Sequence, residues 1–279
     1  MFKQRLFSGI ILVIIALLVL IPGGYVLGGT CVLLSLIAFR ELMKAFGNAA
    51  KGERIKSIEL LGYIDIVFFY AVLFCMKDKI WLFLSLFLIL ITFMGIYVFT
   101  YPKYEAKDIV YSYFSIVYAP CMLAFMYMIR ELTYGQYLIW LVFICSWVSD
   151  TFAYVTGMLF GRSGKHKLAP VLSPKKSVEG AVGAVVVTAL VSGAFAHFCL
   201  DPLIPDVSIF PVFVILGALG SVISQIGDLA ASAIKRNTGI KDYGNLIPGH
   251  GGIMDRFDSV IFVSPGVYIM SLIFITFIC

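Results

Sequence analysis

Ile80–Phe99 reads IWLFLSLFLILITFMGIYVF, twenty residues without a single charge. At about 1.5 Å per residue a helix of that length matches a hydrocarbon core roughly 30 Å thick. A strand of a membrane barrel would instead alternate apolar and polar residues in short segments, and no such alternation is present here. The reading spreads outward from this run. The tight turn Lys77, Asp78, Lys79 joins it to a preceding apolar stretch, Ile58 to Met76. The polar loop Tyr101 to Asp108, YPKYEAKD, separates it from the next, Ile109 to Ile129. Further runs cover Leu6 to Ile21, Tyr25 to Phe46, Tyr137 to Phe160, Val178 to Leu200, Ile209 to Ile234 and Val260 to Cys279. The first resembles a secretory leader, but no A-x-A-like cleavage site follows it, and it is expected to stay as a span.

The expectation is therefore an all-α integral membrane protein of about nine transmembrane helices. The whole chain agrees: 279 residues, 61% of them hydrophobic and 13% charged, with a mean hydropathy of +1.00, hold more apolar material than a soluble core of this size encloses. No soluble domain or internal repeat is visible, so residues 1–279 are expected to form one polytopic domain. Spans one to five occupy 1–136, and a functional half, 137–279, carries loops at 161–177 and 235–256. The six cysteines lie scattered in apolar runs without C-x-x-C spacing; they read as packing residues and indicate neither zinc nor a disulfide framework.

Charge gives the orientation. With the N-terminus inside, every Lys and Arg except Lys77, Lys79 and Arg130 falls on the inner side, as the positive-inside rule requires for a cytoplasmic N-terminus. The net charge of +5 reflects these short clusters between spans and points to no nucleic acid.

Carboxylates inside spans cost about 2.5 to 3.5 kcal/mol each on insertion scales and need a partner, a cation or water. Asp65 has no polar company at helical spacing and reads as structural or interfacial. Asp150 sits between Ser146 and Tyr154, one turn to either side. Asp228, Ser232 and Lys235 are spaced i, i+4, i+7 and share one helix face. Carboxylate, hydroxyl and ammonium in line suit a site for Mg2+ and phosphate, because hard cations take oxygen ligands. The same spacing also fits an interfacial lysine with an internally paired aspartate.

Just beyond lies the most polar stretch of the chain, Ser232 to Ser259: SAIKRNTGIKDYGNLIPGHGGIMDRFDS. It gathers Lys235, Arg236, Lys241, Asp242, His250, Asp255, Arg256 and Asp258 among five glycines. Glycines let backbone amides approach an anion, although neither a P-loop nor a dinucleotide-binding pattern is present. The absence of H-E-x-x-H and of H-x-E with C-x-x-C removes zinc chemistry, and no G-x-S-x-G presents a nucleophilic serine. Metal-assisted phosphoryl or nucleotidyl transfer needs no protein nucleophile, only positioned carboxylates and bases.

Ser232, Lys235, Arg236, Lys241, Asp242, Gly244, Pro248, His250, Gly251, Gly252, Asp255, Arg256 and Asp258, in this spacing, resemble the signature of the phosphatidate cytidylyltransferases, the CDP-diacylglycerol synthases of bacterial type. SDTFAYVTGMLFGR, Ser149 to Arg162, and SPKKSVEG, Ser173 to Gly180, are similar to segments of the same family. The resemblance implies transfer of CMP from CTP to phosphatidic acid with Mg2+, and it also allows K+ as a second cation. It implies that Asp228 and Asp255 hold the metal with help from Ser232. Lys235, Arg236, Lys241 and Arg256 would neutralise phosphates, and Lys175 and Lys176 would reach the triphosphate. Asp150, His250 and Asp258 are further candidates, for substrate contact or for ordering the loop. A multi-pass enzyme of the cell membrane, with its site at the cytoplasmic face and a homodimeric assembly, is the corresponding expectation. Two other readings are a CTP-dependent polyprenol or phytol kinase and an ion-coupled secondary transporter using Asp65, Asp150 and Asp228.

Overall fold

A backbone surrounded by hydrocarbon must satisfy its N–H and C=O groups within its own segment, and each apolar run is helical. The computed structural model describes residues 2–47, 56–161, 166–204, 207–247 and 251–277, with side chains from residue 9 onward. The helices are α1 (Phe2–Leu20), α2 (Gly24–Ala45), α3 (Ser57–Cys75), α4 (Ile80–Phe99), α5 (Ala106–Ile116), α6 (Met122–Arg130), α7 (Gly135–Phe143), α8 (Ser149–Phe160), α9 (Val178–Cys199), α10 (Phe210–Thr238) and α11 (Met254–Phe277). A π-helical turn, Val117–Cys121, fuses α5 to α6, and another, Ile144–Val148, fuses α7 to α8. Among the described residues, eight helical stretches are long and apolar enough to cross a membrane, and α1 adds the shorter apolar segment Gly9–Leu20. The protein is an all-α, multi-span membrane protein, as expected. Its large exposed side chains fit that setting: Ile91, Val98 and Phe99 on α4 are 64%, 65% and 90% exposed, a surface that lipid covers and water would not favour.

Two compact units divide the chain. The first comprises Met1–Ile15, Tyr25–Ala124 and Ile240–Arg256. Its core includes a polar contact between spans: the buried Tyr70 hydroxyl lies 2.8 Å from Ser35 Oγ and donates to the Pro120 carbonyl at 3.1 Å. Pro120 sits inside the π-helical turn, where a residue without an N–H disturbs the helical ladder. Asp65 is buried on α3, and its Oδ2 accepts from Thr92 Oγ1 on α4 at 2.9 Å. That bond joins two neighbouring spans and fits the structural reading of Asp65.

The second unit comprises Ala16–Gly24, Phe125–Gly239 and Phe257–Cys279. Here α8, α9 and α10 pack through small residues and hydroxyls. Ser149 Oγ lies 2.8 Å from Ser221 Oγ, and Gln225 Nε2 donates to the Ala181 carbonyl at 3.2 Å. Phe213 and Phe274 meet edge to face with their centroids 5.3 Å apart. The stretch expected as a plain loop at 161–177 holds a hairpin, β1 (Lys167–Ala169) antiparallel to β2 (Ser173–Ser177). Ser177 then caps α9, its hydroxyl accepting from the Gly180 amide at 3.1 Å, a standard start for a helix. Cys31, Cys121 and Cys145 are buried free thiols, consistent with packing roles.

Candidate active site

In the second unit, α10 runs unbroken from Phe210 to Thr238, so Asp228, Ser232 and Lys235 do share one helix face. Lys235 and Arg236 belong to its last turn rather than to the loop expected from 235 onward. Gly227 precedes Asp228 at a close crossing with α11, where a Cβ would run into Phe262 Cβ. The glycine thus brings the Asp228 backbone against the last span.

Onto Asp228 reaches β2. The Lys176 ammonium forms an ion pair with Asp228 Oδ2, and both side chains are about one-quarter exposed. Burial lowers the Lys176 pKa, while the negative charges of Asp150 on α8 and Asp258 on α11 pull it the other way. Ser259 sits between those two acids: its hydroxyl is within reach of Asp150 Oδ2 at 3.3 Å and Asp258 Oδ1 at 3.4 Å and donates its one proton to either, while its amide donates to Asp258 Oδ1 at 2.8 Å. Carboxylates from three helices thereby act on the one ammonium that the hairpin supplies. Lys175, the neighbouring residue on β2, is exposed.

The first unit holds the other part of the polar stretch. Asp255 lies in the first turn of α11, and its Oδ2 accepts from the Tyr243 amide at 2.8 Å and the Gly252 amide at 3.0 Å. Ile247 pairs with Gly251 in an isolated antiparallel bridge. Lys241 is exposed on this loop and Arg256 on the first turn of α11, and His250 lies outside the described residues.

One carboxylate that governs this loop is absent from the sequence-based candidates. Glu41, in the last turn of α2 and only 6% exposed, accepts from the Ile253 amide at Oε1 (3.0 Å) and from the Met254 amide at Oε2 (2.8 Å). These are the amides at the start of α11, which no earlier turn can satisfy, and an anion there also complements the helix dipole. Gly252 is required beside it, because a Cβ at that position would overlap the Glu41 carboxylate. The second missed group is Ser259, which read simply as the end of the polar stretch.

Among the described residues no three Asp, Glu, His or Cys side chains close on a single metal position. Mg2+ needs less than that, because it commonly takes one or two carboxylates and completes its shell with water and substrate phosphate. Asp228, an oxygen donor already neutralised by an ammonium, fits such a partial site.

Fold and site together define a polytopic helical membrane protein with a cluster of acids and bases fed by three spans and a hairpin. Residues 3–274 match the model of the cytidylyltransferase family. The phosphatidate cytidylyltransferase of Staphylococcus saprophyticus subsp. saprophyticus is 33% identical over 270 residues, covering 94% of this chain and 96% of that protein. Those of Staphylococcus aureus (strain COL) and Staphylococcus epidermidis are 32% and 33% identical, with the same coverages. The chain belongs to the cytidylyltransferase family, and it is an enzyme of the nucleotidyltransferase class.

Proposed function

We propose that the protein transfers CMP from CTP to phosphatidic acid, giving CDP-diacylglycerol and pyrophosphate for phospholipid synthesis. A phosphate oxygen of the lipid attacks the α-phosphorus of CTP in line, the new P–O bond forms, and the bond to the β-phosphate bridging oxygen breaks. The observation that carries the reading is the Lys176–Asp228 pair with Asp150 and Asp258 in electrostatic reach. It is a partly desolvated site where a fixed positive charge faces acids. On this reading Lys176 transfers its ammonium from Asp228 to the incoming triphosphate, and Asp228 is released for a cation. Exposed Lys175, Lys241 and Arg256, with Lys235 and Arg236 on the last turn of α10, neutralise phosphate charge. Ser232 stands one turn above Asp228 on the same face and offers a hydroxyl ligand. Asp150 and Asp258, tied by Ser259, hold the acidic side of the site in place.

The proposed metal is Mg2+, with Asp228 and the signature carboxylate Asp255 as its ligands. When bound it would neutralise the triphosphate and stabilise the departing pyrophosphate. Asp255 has a second task, ordering the Tyr243–Gly252 loop. The family resemblance supports K+ as a second cation and a homodimer, and the distribution of Lys and Arg supports a site at the cytoplasmic face. The deciding assay incubates purified protein with labelled CTP and phosphatidic acid, with and without Mg2+. Pyrophosphate release and a CDP-lipid, both lost with chelator and restored by Mg2+, are expected. Release of CDP instead would show a lipid kinase, and untouched CTP with solute movement across vesicles would show a transporter.

A further inference from the structure

A recess of about 690 Å3 opens in the first unit between the end of α2, the face of α3 and the loop Tyr243–Leu246. We propose that it is the seat of an acidic membrane lipid whose head is an uncapped phosphate monoester. This deepens the preceding functional reading and rests on it, since it assigns the acceptor lipid a place.

The recess has the size of an ordinary ligand site, and Leu36, Ile37, Val67 and Leu246 make its walls apolar. Arg40 and Lys44, one helical turn apart, supply its positive rim. Arg40 is half exposed and forms a long ion pair, 3.9 Å, with the buried Glu59 carboxylate, beyond hydrogen-bond distance, so its remaining N–H donors face the recess mouth. Lys44 is exposed, and its charge acts on the Glu41 carboxylate from beyond ion-pair distance. The acids at hand are engaged: Glu41 holds the two amides that begin α11, and Glu59 accepts from Tyr63 at 3.1 Å. The rim therefore presents donors to a phosphate and has little to offer the ammonium of a choline or ethanolamine head. Apolar walls at the end of a span favour acyl chains over a free anion. Glu41 lines the recess and also fastens the signature loop, so a lipid seated here borders the segment that carries Lys241 and Asp255.

The test uses the full chain in nanodiscs of phosphatidylcholine, doped with phosphatidic acid or given inorganic phosphate in solution. Phosphatidic acid is expected to raise the melting temperature of the wild-type protein, and inorganic phosphate is not. Lys44→Gln and Val67→Trp, the latter filling the recess from an exposed position, are expected to abolish that shift, and Lys44→Arg to keep it. In turnover, Lys44→Gln should raise the KM for the lipid about fivefold, the usual effect of one basic residue near an anionic surface, with kcat and the KM for CTP unchanged. Equal shifts in wild type and both variants, or an equal rise in the KM for CTP, overturns the proposal. A stabilising effect of inorganic phosphate would assign the recess to a free anion and likewise overturn it. Should wild type bind phosphatidic acid here yet leave CTP intact, the catalytic reading fails and the lipid seat stands.

Discussion

Removing the Glu41 carboxylate is the sharpest probe of how the signature loop is held. In Glu41→Ala the amides of Ile253 and Met254 lose their acceptors, and both residues are buried, at 6% and 0% exposure. Their burial limits how far water entering from the recess can replace the lost oxygens. Each stranded buried amide costs about 1–3 kcal/mol, so about 2–6 kcal/mol is expected in all, a large share of a domain stability of about 5–15 kcal/mol. Glu41→Gln keeps one acceptor and turns an NH2 toward the other amide, so roughly half of that loss is expected. The cost falls on the loop and the first turn of α11, because the rest of α2 packs through Ala38, Phe39 and Leu42, all fully buried. The assay combines thermal denaturation in detergent, limited proteolysis across 240–253, and turnover of CTP. Glu41→Ala should melt earlier, be cut faster in the loop and lose turnover, with Glu41→Gln between it and wild type. A Glu41→Ala protein with wild-type melting, wild-type resistance to cleavage and full turnover would refute the assignment.

Asp228→Ala should remove turnover while the protein still inserts and elutes as a folded species, and full activity would take Asp228 out of the site. Lys176 titrates on the alkaline side: burial lowers its pKa, so its ammonium is lost on raising pH earlier than that of an exposed lysine. The alkaline limb of activity should accordingly begin below the usual lysine range and move to higher pH in Lys176→Arg, whose charge does not titrate; an unmoved limb excludes Lys176 as its source. Asp65→Asn keeps an oxygen for Thr92 Oγ1 and removes an acid from a span, so turnover should persist and melting should hold or rise. A tenfold loss of turnover there would give Asp65 a functional role.

Span borders were legible because hydrocarbon thickness and flanking charges act locally. Ile80–Phe99 emerges as the helix expected, and α3 differs from its expected ends by a single residue. The π-helical turns were not legible, since Pro120 and the unremarkable Ile144–Val148 leave the apolar pattern intact. The same holds for the hairpin in 161–177, whose strands are too short and too polar to show alternation. At the site, Asp228 stood out because an acid inside a span is costly, and Ser232 and Lys235 followed from helical spacing. The partner of Asp228 did not follow: a basic loop offers several lysines, and only the hairpin selects Lys176. Glu41 looked like one more charge at a helix end because its ligands are backbone amides, which carry no sequence signal, more than 200 positions away.

That separation also matters for biogenesis. The ribosome delivers α2 to the membrane early, and the amides that satisfy Glu41 exist only once Ile253 and Met254 have been made. Throughout insertion of the intervening spans the acid at the end of α2 stays solvated or protonated, and it is sequestered only when the last helix starts. A chain truncated before α11 would leave that acid at the end of an early span without the two amides that satisfy it.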